Sequence, residues 1–115
     1  MPAPDKHTLQ QTANDLCQYL RLCCAGREQA HTVRFLSREL QAPERLVRAA
    51  GALLARTTGR VGSSTSSPAG LWWIENGEEA QEAEQQLMTR IEDLSKRAKA
   101  LRNAWPQLGQ LRLTA

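Results

Sequence analysis

The sequence predicts a mainly α-helical chain that carries one small β-hairpin and ends in a long helix. Apolar residues recur every three or four positions over most of the 115 residues, as they do along one face of a helix. Aromatic residues make up only 4% of the chain, so the core must be built from Leu, Ala and Val, a composition typical of helical proteins. The period changes only beyond the third predicted helix, where a Gly/Ser/Pro-rich stretch separates two short apolar clusters.

Three helices are predicted in the first half of the chain. The first covers residues 9–24, and Gly26 ends it because glycine readily adopts the left-handed conformation that follows a helix. The second covers residues 31–40. Pro43 then interrupts the pattern and suits the first turn of a third helix over residues 43–57.

The segment after the third helix is predicted to form the hairpin. Residues 59–62 and 71–74 are the two short strands, and the Ser/Pro/Gly stretch between them is the tip. A flexible linker is the alternative, but the bulky apolar cluster at 71–74 favours a packed structure. Trp72 and Trp73 are adjacent and must point to opposite faces of a strand. One is expected to pack against the helices, and the other to be exposed or covered by the C-terminal helix.

The last predicted helix covers residues 78–105 and is stopped by Pro106. The helix begins acidic over residues 78–84 and ends basic over residues 96–102, which favours an antiparallel pair of such helices. Its apolar residues step by four and three, so they form a heptad seam. A dimer contact along this seam is expected, and docking onto the chain's own core is the alternative. The seam residues are Leu87, Ile91, Leu94, Ala98, Leu101 and Trp105.

The net charge of +3 conceals blocks of opposite sign. Residues 27–60 carry seven Arg against three Glu, a net charge of +4, whereas residues 75–95 carry one Arg against seven acids, a net charge of −6. Residues 96–115 carry five bases and no acid. A compact basic block offers a surface to a polyanion such as DNA. The alternative is that these arginines only solvate the faces of helices.

The order of elements (helix, helix, tight turn, helix, strand, tip, strand) resembles the winged helix-turn-helix of bacterial transcription regulators. The resemblance covers residues 9–74 and depends most on the stretch LSRELQAPERLVRAAGALLARTTGRV at 36–61. It implies that the third helix enters the major groove of DNA and that the hairpin is the wing. The chain then divides into an arm at 1–8, a winged helix-turn-helix domain at 9–76, a dimerisation helix at 77–105 and a tail at 106–115.

The function that the resemblance implies is sequence-specific binding of double-stranded DNA by a homodimeric transcriptional regulator, a repressor. Arg45 and Arg48 would bond guanine edges or clamp a phosphate. Arg34, Arg38 and Arg60 would contact backbone phosphates, and the serine hydroxyls would bond phosphates or minor-groove edges. Solvated arginines and a mobile serine loop are the alternatives for these side chains. A winged-helix protein-interaction module or accessory subunit without DNA binding is the alternative function. The implied DNA-binding residues are Arg34, Arg38, Arg45, Arg48, Arg56, Arg60, Ser63 and Ser64.

Other classes of protein are disfavoured by missing motifs. No catalytic motif is present, so neither an enzyme nor a cofactor is expected. Cys17, Cys23 and Cys24 form no C-x-x-C pair and have no metal-ligand spacing to the histidines, so no metal site is predicted. Core packing is the favoured role for these cysteines, with redox or metal sensing as the alternative. The absence of a long apolar run and of a secretory signal predicts a cytoplasmic protein without a membrane partner.

Overall fold

The computed structural model describes residues 6–108, and side chains from residue 8 onward. The predicted fold class is confirmed at this level: the described chain is mainly helical and contains a small two-stranded antiparallel hairpin. Most of the predicted arm at 1–8 and tail at 106–115 lies outside the described residues. The elements are α1 (Lys6–Cys23), a 3-10 turn (Arg27–Gln29), α2 (Val33–Leu40), α3 (Glu44–Thr58), β1 (Val61–Ser64), β2 (Gly70–Trp73) and α4 (Gly77–Ala104).

The chain divides into two compact units between Gln81 and Glu82. The core of the first unit lies where α1, α2, α3 and β2 meet, so the apolar stripes read from the sequence of the three helices face one another. Packing of this kind removes the largest apolar side chains from water and supplies the main driving force for folding. The most completely buried of them are Leu16, Leu20, Leu36 and Val47.

The connection between α2 and α3 is a tight turn whose polar groups are satisfied locally. Gln41 ends α2 in the left-handed conformation, with φ 53°, which leaves only two residues before α3 begins. The Ser37 hydroxyl donates to the Ala42 carbonyl, and the Ala42 N–H donates to the Ser37 carbonyl at 3.1 Å. These bonds fix the angle between the two helices, because they tie the last turn of α2 to the residue that precedes Pro43.

The start of α2 differs from the prediction by two residues. The Thr32 hydroxyl caps the helix by accepting the Phe35 N–H at 3.1 Å. His31 is extended instead of helical because its backbone pairs with Leu71 of β2, through N–H to O distances of 3.1 and 2.8 Å. His31 therefore forms an isolated antiparallel bridge to β2 and is not part of a further strand.

The linker alternative for residues 59–74 is wrong, since β1 and β2 form a ladder from Val61 opposite Trp73 to Ser64 opposite Gly70. β1 lies two residues later than predicted because Gly59 is used to end α3, with φ 66°. Gly70 has φ 121°, and a Cβ there would overlap the backbone carbonyl of His31. Only glycine therefore allows the hairpin to approach the segment before α2 so closely.

Both tryptophans of β2 are buried, which excludes the exposed alternative for the second one. Trp73 is 9% exposed and joins the core with the helices, while Trp72 on the opposite face is 4% exposed. The Trp72 ring lies over Gly62, where a Cβ would stand 2.5 Å from ring atoms. Because glycine at this position has no side chain, the indole packs flat on the strand. Its Nε1 is buried and has no hydrogen-bond partner among the described residues.

The beginning of α4 is capped by the side chains of Asn76 and Glu79. The Asn76 side chain accepts the Glu79 N–H at 2.9 Å, and the Glu79 carboxylate accepts the N–H groups of Glu75 at 2.8 Å and Arg27 at 2.9 Å. This satisfies backbone donors near the helix start and places a negative charge at the positive end of the helix dipole. In the described part of the chain, no helix combines the length and apolar character needed to cross a membrane.

Candidate nucleic-acid interface

The candidate DNA surface is the side of α2 and α3 that faces away from the core. Along α3, Val47, Ala50 and Leu54 are buried, whereas Arg45, Arg48 and Arg56 are exposed. This separation follows from the helical period, because residues spaced three or four positions apart share one face of a helix and the remaining positions turn towards solvent. All five arginines predicted on these two helices lie on exposed positions: Arg34, Arg38, Arg45, Arg48 and Arg56.

The first turn of α3 carries a pair of opposite charges. Arg48 Nη2 lies 3.6 Å from Glu44 Oε2, and these two side chains are 65% and 44% exposed. An exposed pair of this kind contributes only about 0–1 kcal/mol. A phosphate or a guanine edge can therefore replace Glu44 as the partner of the Arg48 guanidinium without a large loss of stability.

An aromatic pair at the start of α2 adjoins the basic surface and was not predicted from the sequence. The rings of His31 and Phe35 stack with their centroids 4.4 Å apart, and Phe35 remains 38% exposed. Phe35 is adjacent in sequence to Arg34 and lies one helical turn before Arg38. The sequence shows the i, i+4 spacing of His31 and Phe35, but this spacing predicts the ring stack only once the extended conformation of His31 is known.

The base of the hairpin holds Arg60 in place. Its Nε donates to the Ile74 carbonyl at 3.0 Å, and its guanidinium lies 5.2 Å from the centroid of the Trp73 ring. Arg21 from α1 lies 5.9 Å from the same ring. Contacts between a cation and an aromatic ring at this range are favourable. Arg60 is exposed, as a phosphate contact requires, but it also braces the hairpin.

The tip of the hairpin is organised by Arg27, which the sequence analysis missed. Its guanidinium donates to the Pro68 carbonyl at 2.6 Å, to the Ser64 hydroxyl at 2.7 Å and to the Ser66 carbonyl at 3.1 Å. Ser64 is half-buried and its hydroxyl is used inside the tip, so of the two predicted serines only Ser63 is exposed. No sequence pattern connects Arg27 with a tip that lies about 40 residues further along.

The cysteines occupy three different environments. Cys24 is buried in the core, Cys17 is half-buried and Cys23 is exposed. Burial, and to a smaller extent the neighbouring Cys23, raises the pKa of the Cys24 thiol to about 11. Its thiolate is therefore scarce near neutral pH, and Cys24 acts as a small apolar side chain. Among the described residues, no three His, Cys, Asp or Glu side chains are grouped so that they could hold a metal ion.

The predicted seam of α4 is exposed to solvent along its whole length. No residue of α4 is buried, and the large seam side chains are between 54% and 58% exposed. Met88, beside the seam, is 47% exposed. Soluble proteins rarely leave an apolar stripe of this length in water unless a partner covers it. The large seam residues are Leu87, Ile91, Leu94, Leu101 and Trp105.

Comparisons with known proteins add no relative. The chain matches no family model, and no curated protein or solved structure is similar to it.

Proposed function

We propose that this protein is a sequence-specific, double-stranded-DNA-binding transcriptional regulator of the winged helix-turn-helix class, which represses by occupying its operator as a homodimer. The observation that carries the proposal is the exposed arginine face of α3, directly opposite its buried face and beside two further arginines on α2. In this arrangement α3 is the recognition helix and the β1–β2 hairpin is the wing.

The arginines divide into two roles by their place on the helices. Arg45 and Arg48 lie in the first half of α3, the part of a recognition helix that reaches deepest into the major groove, where guanidinium groups bond guanine O6 and N7. Arg34 and Arg38 lie on α2 and Arg56 lies in the last turn of α3, and all three suit backbone phosphates. The tight turn held by Ser37 supports this division because it fixes α2 against α3.

The wing adds contacts outside the recognition helix. Arg60 lies at the wing base with its guanidinium anchored, which lowers the entropy lost when it meets a phosphate. Ser63 is the exposed hydroxyl at the end of β1. Ser64 supports the wing from inside, through Arg27, in place of the direct DNA contact first expected of it.

The homodimer is proposed from the exposed seam of α4. Two copies that cover each other's seams would present two recognition helices, so that a palindromic operator is read as two half-sites. A second copy is always present at the same concentration as the first, and a self-complementary apolar stripe suits such an isologous contact.

The first experiment selects bound sequences from a random duplex pool and then compares Arg45→Ala/Arg48→Ala with the unmodified protein. Loss of two base contacts should weaken binding to the selected operator by about 2–4 kcal/mol, or roughly 30- to 700-fold, with little change in affinity for random DNA. A folded double variant with unchanged affinity and unchanged sequence preference would exclude this face of α3.

A second pair of variants separates phosphate contacts from base contacts. Arg34→Ala/Arg38→Ala should reduce the slope of log affinity against log salt by about 2, without relaxing the sequence preference. Lys96→Ala/Lys99→Ala is the matched control, since it removes the same charge from exposed positions of α4. If the control weakens binding as much as the α2 pair, the effect comes from net charge and the proposed surface is wrong.

A protein-interaction module remains the second candidate because of Leu22, which is 75% exposed near the end of α1. A large apolar side chain in that position is used readily in a protein contact. The random-pool selection distinguishes the two candidates: an interaction module yields no enriched sequence and no salt-dependent affinity for duplex DNA.

A further inference from the structure

We propose that the α4 helices of two copies pair antiparallel, with the two-fold axis beside Lys96. The inference rests on the homodimer of the proposed function and fixes its geometry. It starts from α4 itself, which is a continuous helix of 28 residues with no buried residue. Its only extended apolar feature is the seam, and the packing and charge of that seam differ between the two possible directions of pairing.

The heptad positions follow from the spacing of the seam residues. A step of three residues leads from an a position to a d position, and a step of four leads from d to the next a. The large, unbranched-at-Cβ residue Leu recurs at every d position, whereas the a positions differ in size. The d residues are Leu87, Leu94 and Leu101, and the a residues are Ile91, Ala98 and Trp105.

In a parallel pair each residue of the seam meets its own copy. Ala98 would then face Ala98, and two such small side chains leave unfilled volume in their layer. Trp105 would face Trp105 in the a layer at the end of the helix, where two indole rings exceed the volume available. Both faults are costly, because helix interfaces pack as densely as protein cores and tolerate neither voids nor excess volume.

In an antiparallel pair the order of the layers is reversed in the partner, so an a residue faces a d residue. With the axis beside Lys96, every a residue of the seam meets a leucine, and the smallest and largest a residues no longer meet their copies. Each of the six seam residues then faces a seam residue of the partner helix. The layers pair Leu87 with the partner's Trp105, Ile91 with the partner's Leu101, and Leu94 with the partner's Ala98.

The charges along α4 favour the same direction. The first two turns carry Glu78, Glu79, Glu82 and Glu84. A parallel pair would bring the two acidic stretches to the same end of the coiled coil and would place Glu84, at an a position, beside its copy. It would also bring Arg97 next to the partner's Arg102, since these are the g and e positions that meet in parallel coiled coils.

In the antiparallel pair the two acidic ends lie at opposite ends of the coiled coil. The one remaining like-charge contact is between the two copies of Arg97, close to the axis. Asp93 lies 3.0 Å from Arg97 on the same helix and offsets that charge. Electrostatic repulsion is therefore lower in the antiparallel direction.

Distances between spin labels on the full-length protein test the direction and the register together. One label at a time is placed at Glu82, Thr89, Lys96 or Asn103, four exposed positions one heptad apart on the side of α4 away from the seam. A genetically encoded ketone side chain carries the label, so that exposed Cys23 stays unmodified. Double electron–electron resonance then measures the separation of the two labels within the dimer.

The antiparallel pair predicts a distinct series of distances. At 1.5 Å per residue, the two labels are separated along the axis by about 0 Å at position 96, about 21 Å at positions 89 and 103, and about 42 Å at position 82. A parallel pair gives the same short distance at all four positions, and an antiparallel pair with another register moves the minimum away from 96. Either result overturns the inference.

Light scattering on the same labelled samples separates this inference from the homodimer on which it rests. A dimeric mass with equal distances overturns the antiparallel arrangement but leaves the homodimer standing. A monomeric mass with no dipolar signal at micromolar concentration overturns both. Binding of operator DNA is measured independently, through the arginine variants, and does not depend on the direction of α4 pairing.

Discussion

Removing the Arg27 guanidinium should release the tip of the hairpin while the helical core stays intact. Four donated bonds are lost, one each to Pro68 and Ser64 and two to Ser66, of which the Ser64 contact is partly buried and the others are exposed. Charged hydrogen bonds that are well buried contribute about 1.5–3 kcal/mol each, and exposed ones much less. A total of about 1.5–2 kcal/mol for the tip is therefore expected from this structure.

The loss should appear as faster hydrogen exchange confined to the tip. An opening free energy reduced by that amount accelerates exchange roughly 10- to 30-fold at the Ser66 amide, which donates to the Ser64 hydroxyl at 3.2 Å. Amides of the buried part of α1, such as that of Leu20, should keep their rates. Nuclear magnetic resonance of Arg27→Ala in the absence of DNA measures both regions in one experiment.

Two further variants control for charge and for general damage. Arg27→Lys keeps the charge but loses the planar fork, so its tip should exchange at an intermediate rate. Arg56→Ala removes an exposed arginine from α3 and should leave the tip unchanged. Unchanged exchange in Arg27→Ala would refute the role assigned to Arg27, and equal acceleration at Leu20 would show that Arg27 holds the whole unit together and not the tip alone.

Three other outcomes are expected. Gly70→Ala should lower the free energy of unfolding by about 3 kcal/mol, because the new Cβ overlaps a backbone carbonyl and the residue has a positive φ. Gly59→Ala also has a positive φ but open space around it, so it should cost about 1–2 kcal/mol. Denaturant unfolding measures both values. Ile91→Asp/Leu94→Asp should convert the proposed dimer to a folded monomer, as measured by light scattering, and a variant that stays dimeric places the interface elsewhere. The raised pKa of Cys24 means that the folded state favours its neutral thiol. The stability that this preference adds is complete below pH 9 and is lost as the pH rises towards 11. Cys24→Ala should remove that part of the pH dependence of the free energy of unfolding, and an unaltered alkaline slope would contradict the raised pKa.

The helices could be predicted because their information is local. Leu36 and Val47 are buried together because each lies on the apolar face of its own amphipathic helix. The spacing of apolar residues that defines these faces can be read from the sequence. The arginines opposite those faces could be predicted with them, since exposure follows from the same period. The positions of the hairpin strands were less accurate because a glycine can serve either a strand or a helix end, and Gly59 ends α3.

The contacts that the sequence did not predict are those between distant segments. The Arg27 guanidinium contacts the hairpin tip only in the folded chain, because α2 and α3 separate the two in sequence. A single arginine also carries no periodic pattern that could predict the contact. The burial of Trp72 is of the same kind, because alternation along a strand assigns it a face but does not reveal what covers that face. The apolar seam of α4 could be predicted from its spacing, but the spacing does not reveal what covers it.

The short segment between α1 and α2 determines where the hairpin stands. At its start, the Cys24 carbonyl accepts the Trp73 N–H at 2.8 Å and the Gly26 N–H donates to the Trp73 carbonyl at 2.9 Å. At its end, His31 exchanges both backbone bonds with Leu71. Backbone groups buried without partners are costly, so this pairing both satisfies the segment and aligns β2 with it. The hairpin is thus attached at the base through backbone bonds and at the tip through Arg27, and its position relative to α3 depends on a connection with little regular secondary structure of its own.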